Sequence, residues 1–126
     1  MFRLTVRNHI MIAHTLPEAF FGPAQGMHGA TLEVEATWRR RELGPHSVVM
    51  DIGAATEMLD AALEPLRYRN LDEHPAFHGR LSTTEAIAEH IGRDLAGRFD
   101  TSDFSGLEIV IRENPDAWVA YDLPFE

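Results

Sequence analysis

Phe21-Gly22-Pro23-Ala24-Gln25-Gly26-Met27-His28-Gly29-Ala30-Thr31-Leu32-Glu33-Val34 is the stretch on which the fold turns. A Gly/Pro-rich loop runs through a His-Gly step into residues of alternating polarity. From His28 to Arg40, the set Ala30, Leu32, Val34, Ala36 and Trp38 alternates with Thr31, Glu33, Glu35, Thr37 and Arg39. That period of two is the pattern of a strand with one buried face. His28 shares the apolar parity. The glycines and proline ahead of it let the backbone turn tightly and let a ligand approach. A histidine at the mouth of such a strand is placed to point into a pocket.

Upstream, Phe2 to His14 predicts a long strand. Phe2, Leu4, Val6, Ile10 and Ile12 lie on one parity, Arg3, Thr5, Arg7 and His9 on the other, and His14 ends the apolar set. Thr15 to Met27 reads as a loop, with Phe20-Phe21 expected beneath the core. Downstream, Trp38-Arg39-Arg40-Arg41 beside Glu42 reads as a solvated hairpin tip, followed by a turn at Leu43-Gly44-Pro45 and a short apolar run at Ser47 to Met50. Asp51 caps a helix whose stripe is Ile52, Ala55, Leu59, Ala62, Leu63 and Leu66. Arg67 to Leu81 is a polar connection. Ser82-Thr83-Thr84-Glu85 fits a capping box opening a second helix, with Ile87, Ile91 and Leu95 along its buried face.

Gly97 to Gly106 is a loop. Leu107, Ile109 and Ile111 mark a third strand, Asn114-Pro115-Asp116 a turn, and Ala117 to Asp122 a last strand. The order strand-strand-helix-helix-strand-strand predicts an α+β domain over residues 1–126: a four-stranded antiparallel sheet with both helices on one face.

Composition narrows the function. The 126 residues include no cysteine, which removes disulfides, thiolate ligands and thiol nucleophiles. A formal net charge of −9 argues against nucleic-acid binding, which needs clustered positive charge. No run nears the ~18 apolar residues of a membrane span. Met1 to Arg7 lacks the apolar region of a signal peptide, so a cytoplasmic location is expected, with no membrane partner.

His14, His28 and Glu113 each fall on the inward parity of a strand, at its end, beside a loop. Unpaired burial of such groups costs about 1–3 kcal/mol, so they are either satisfied by loop backbone or gathered in one polar pocket. Asp72, before Pro75, reads from its surroundings as a turn-capping residue. His74 and His78, four apart in a loop, read as solvated residues or as spare metal ligands. His9 points outward. His46 and His90 read as turn and helix-surface residues.

The same residues carry a family resemblance over essentially the whole chain. Ile12-Ala13-His14, His28-Gly29-Ala30, Val48-Val49-Met50-Asp51-Ile52, Asn70-Leu71-Asp72, Ser82-Thr83-Thr84-Glu85 and Glu113 occur in the order and spacing seen there. The chain resembles the 6-pyruvoyl tetrahydropterin synthase / 6-carboxytetrahydropterin synthase family. That resemblance implies the tunnelling fold, assembly into a homo-oligomeric barrel (a trimer or hexamer), and carbon–oxygen lyase chemistry on a dihydropterin triphosphate. It implies zinc held by His14 and His28, Asp72 and His74 as catalytic residues, and Glu113 with Glu85 as substrate-binding residues; Glu85 is equally explained by the capping box. Three departures accompany it. Ala30 stands where a third zinc histidine is expected, Ala24 about where a catalytic cysteine is expected, and one residue is inserted in Leu71-Asp72-Glu73-His74. The alternative reading is a pterin- or purine-binding oligomer of the same fold with altered or absent catalysis.

Overall fold

In a computed structural model describing residues 1–126, the elements follow the expected order, with one addition. β1 (Phe2–His14) and β2 (His28–Arg40) form a long hairpin; α1 (Ile52–Leu63), β3 (Arg69–Asn70) and α2 (Thr84–Ala96) follow; β4 (Gly106–Asn114) and β5 (Ala117–Pro124) close the chain. The sheet order is β3-β1-β2-β4-β5, so there are five strands rather than four. The extra strand is two residues long and lies parallel to Ile12-Ala13 at the edge of β1. It forms because Tyr68 adopts a left-handed backbone (φ 55°) and donates its N–H to the Met11 carbonyl at 2.8 Å.

The period-two pattern fixes which face is covered, since a one-residue slip would turn every apolar side chain outward. β1 and β2 pair antiparallel from Phe2↔Arg40 to His14↔His28. Ile10, Ile12, Leu32, Val34, Ala36, Trp38, Leu107, Ile109 and Ile111 all face inward and are buried. Against them pack Ala55, Leu59, Ala62 and Leu63 of α1 and Ile87, Ile91 and Leu95 of α2, in a single core cluster. A Cβ at Gly92 would stand 2.9 Å from the Tyr121 ring, so the missing side chain is what lets α2 sit so close to β5.

Asp51 caps α1 as expected, accepting the Ala54 N–H at 2.8 Å. α2 begins differently. Thr83, not Ser82, accepts the Ala86 N–H, at 3.2 Å. Ser82 is taken by His14, whose Nδ1 lies 3.0 Å from its hydroxyl, and the cap moves on by one residue. Two further expectations are corrected. Phe20 is 89% exposed and Phe21 half-buried, because Gly22 kinks the 3-10 segment Ala19–Gln25 with φ 54° and carries it off the core. The arginine cluster is not simply a solvated tip: Arg39 pairs with Asp122, and the Arg40 guanidinium sits 5.1 Å over Phe104 and donates to the Val49 carbonyl. No helix is long and apolar enough to cross a membrane.

Candidate functional site

His14 and His28 are the last cross-strand pair of the β1–β2 hairpin, and their ring centroids stand 4.6 Å apart. His14 is 5% exposed and His28 half-buried. The Nδ1 of His14 lies 3.0 Å from the Ser82 carbonyl, and that of His28 lies 2.8 Å from the Gly26 carbonyl. A carbonyl only accepts, so the proton of each neutral ring is assigned to Nδ1 and the Nε2 lone pair is left free. Burial, followed by the proximity of His28, lowers the proton affinity of His14. The Ser82 carbonyl, Asp72 and Glu113 oppose that shift without overcoming it.

Glu113 reaches the same cavity by a backbone irregularity. The β4–β5 register shifts between Arg112 and Asn114, leaving Glu113 out of the ladder at a bulge, a device that re-aims a side chain. Its carboxylate accepts the hydroxyl proton of Thr84, in the first turn of α2. The positive end of the helix dipole favours an anion there. The cavity, about 460 Å³, is lined by His14, His28, Ala30, Thr84, Ile87 and Glu113 among others. The three polar residues on inward parity therefore share one pocket, and loop backbone also satisfies both histidines. The two readings hold together.

Asp72 is close by but differently employed. Its carboxylate accepts the Thr15 N–H at 3.1 and 3.2 Å and the Thr15 hydroxyl at 2.8 Å, tying down the chain just after His14. It lines a second cavity of about 430 Å³ with Thr15, Glu18, Arg80 and Ser82. Ser82 also bonds His14, which lines the first cavity, so that contact joins the two linings. His74 is elsewhere: its Nδ1 accepts the Ala76 N–H at 3.1 Å, and its ring stands 5.7 Å from His90 and 6.0 Å from Phe77. Asp72 and His74 line separate cavities. Glu85 is exposed and does not line the histidine cavity, while His78 is exposed.

Could this site hold zinc? Both Nε2 atoms are in the ligating tautomer, and each ring is oriented by a carbonyl on its far nitrogen, as metal-bound imidazoles are. A third donor is missing. Ala30, on the same face of β2 two residues from His28, lines the cavity without a ligating atom, and no three His, Asp or Glu side chains gather at metal-binding distance. Catalytic zinc takes three protein ligands and keeps one open position, so the donor set of one chain falls one short. Ala24 contributes no base. It lies in the 3-10 segment, with its carbonyl accepting the Leu16 N–H at 3.1 Å.

Ser82 and Thr84 lie in the segment read from sequence as the start of α2; that Ser82 bonds His14 and Thr84 bonds Glu113, and that the Gly26 carbonyl holds His28, are contacts only the folded chain shows.

Comparisons with known proteins agree with this fold. The family model described as 6-pyruvoyl tetrahydropterin synthase matches residues 3–124. Among solved structures, the Caenorhabditis elegans 6-pyruvoyl tetrahydropterin synthase superposes with a TM-score of 0.83 at 20% identity, covering 95% of this chain and 94% of that one. The Plasmodium vivax 6-pyruvoyl tetrahydropterin synthase gives 0.80 at 16% identity, covering 98% of each chain. A Burkholderia dihydroneopterin aldolase bound to guanine gives 0.53 at 10% identity, covering 99% of this chain and 92% of that one. No curated protein matches by sequence.

Proposed function

The chain belongs to the 6-pyruvoyl tetrahydropterin synthase family, and from that premise we propose that it binds a dihydropterin in the cavity between His14 and Glu113 and acts on the ligand's side chain. One observation carries the reading: an accessible carboxylate, braced by Thr84 at the start of α2, shares a cavity with two oriented imidazoles. An ionised carboxylate accepts two parallel N–H bonds, and the 2-amino and ring N–H groups of a pterin supply such a pair. A cavity of this size, part apolar with a few convergent polar groups, suits a small bicyclic ligand. With the ring on Glu113, the side chain at its other end meets His14 and His28.

The family's carbon–oxygen lyase reaction on a dihydropterin triphosphate is the activity this reading extends to the chain. A second reading has specific support in Ala30 and Ala24: the protein binds a pterin or purine, and the family's elimination is altered or lost. Under either reading the protein is a homo-oligomer. The outer edges of β1 before Ile12 and of β5 are unpaired, and long free edges are ordinarily covered by another chain.

Calorimetric titration with a dihydropterin, a pterin and guanine tests the ring contact. Glu113→Gln keeps the shape but loses the charge and one acceptor, and is expected to weaken binding about 100-fold. Unchanged affinity across the panel overturns the reading. Incubation with a dihydropterin triphosphate then separates the alternatives: release of triphosphate supports the lyase, and binding without release supports the second reading.

A further inference from the structure

The histidine pair raises a question that ligand binding alone does not answer, namely what its two free nitrogens do. Four observations bear on it. Each Nδ1 is committed to a carbonyl, Ser82 for His14 and Gly26 for His28, so neither ring is free to rotate and each turns an Nε2 lone pair outward from that bond. The rings stand edge to face 4.6 Å apart and line one cavity. The β2 position that faces the same way, two residues along, is Ala30. The carboxylates nearby have other work: Asp72 holds Thr15, and Glu113 accepts from Thr84 across the cavity.

We infer that His14 and His28 hold no resident zinc in this chain, and that their Nε2 atoms accept hydrogen bonds from a hydroxyl-bearing side chain of the bound ligand. Two nitrogens from one protomer leave two positions of a tetrahedral zinc to exchangeable groups, so the metal is lost to any competing chelator. Three protein ligands are what retain it. The same two nitrogens are well suited to a neutral partner. Each is a fixed acceptor, and a chain bearing two hydroxyl groups presents two donors. Glu113 accepts as well, so the cavity as a whole selects a ligand rich in donors: N–H groups at one end and O–H groups at the other. The metal half stands on the donor set alone; the hydroxyl half rests on the proposed pterin reading.

The experiment separates the two halves. Purified oligomer is loaded with zinc, passed through a desalting column equilibrated with a mild chelator, and its metal content measured. The wild-type protein is expected to emerge with far less than one zinc per chain. Ala30→His, which places a third nitrogen on the same face, is expected to retain close to one, and His14→Ala in that background to lose it again. A wild-type protein that keeps one zinc per chain, lost in both His14→Ala and His28→Ala, overturns the metal half whether or not Ala30→His folds.

For the second half, affinities for a pterin with a dihydroxylated side chain and for one with none are compared, with chelator present. A preference of about tenfold for the hydroxylated ligand is expected from two neutral hydrogen bonds. It should vanish in His28→Phe while affinity for the bare ring persists. A preference that is absent in chelator, or that survives His28→Phe, overturns the hydroxyl contact. If no pterin binds at all, the proposed ligand is wrong and the metal result is unaffected.

Discussion

Two pairs of histidines in this molecule stand at similar separations, and their hydrogen-bond partners set them to different work. His14 and His28 are 4.6 Å apart, and His74 and His90 are 5.7 Å apart. In the first pair both Nδ1 atoms face carbonyls and donate. In the second, Nδ1 of His74 faces the Ala76 N–H and accepts, so the proton of the neutral ring sits on Nε2. The first pair thus offers lone pairs to a cavity it shares with Glu113. The second uses its lone pair to cap a short 3-10 turn and packs its rings on Phe77. Proximity of two imidazoles says little until the partner of each nitrogen is known. The Nδ1 lone pair of His74 is already engaged by the Ala76 N–H.

The comparison can be broken where the two regions meet. Asp72 and His74 are two residues apart, yet Asp72 serves the first pair by holding Thr15 next to His14. Asp72→Ala removes three hydrogen bonds to a charged acceptor at a solvent-facing site, and a loss of about 1–2 kcal/mol in stability is expected. Ligand affinity should fall with it, because the end of β1 is released. Denaturant melts and the same calorimetric titration read both quantities. Lowered stability with unchanged affinity would detach Asp72 from the site.

His74→Ala sharpens the contrast from the other side. It removes a cap and part of the packing on Phe77 and His90, and about 1 kcal/mol of destabilisation is expected. Ligand affinity should not change. His28→Phe should do the reverse, altering ligand preference with little effect on melting. If both substitutions move the same observable, the two pairs are not functionally distinct.

The division between these regions was only partly legible in the sequence. The parity of β1 and β2 places His14 and His28 on one face, and a hairpin joining the two strands brings them opposite each other. Strand parity puts Glu113 inward; the structure leaves it exposed while it lines the cavity, and the bulge that re-aims it is not legible, because a register shift depends on β5 as much as on β4. The cap of α2 was misplaced by one residue, since the rival for Ser82 lies 68 residues away in sequence. β3 was invisible for a similar reason: two residues carry no periodicity, and their pairing follows from the left-handed backbone at Tyr68. His90 falls on a helix position that reads as surface, and it is half-buried only because the loop carrying His74 and Phe77 folds over it. Local pattern reports which way a residue faces; what it meets there is set by the rest of the chain.

The smallest effect expected is also a test of that loop. Burial, then the nearby His74 and in lesser part Arg80, lower the proton affinity of His90, while Asp94 acts the other way. His14 is shifted in the same direction, mainly by burial. In both cases the unfolded chain binds the proton more readily than the folded one, at an ordinary histidine value of about 6.5. Between that value and the lowered folded one, the unfolded state therefore carries more protons, and stability falls as pH falls. Stability should be fully present above about pH 7 and decline toward pH 5. The decline should be smaller in His90→Gln, which keeps a polar side chain but does not titrate. Melting temperatures measured across this range in wild type and variant supply the check. A wild-type decline no steeper than that of His90→Gln would mean that His90 protonates in place at no cost, and that the loop over it opens freely.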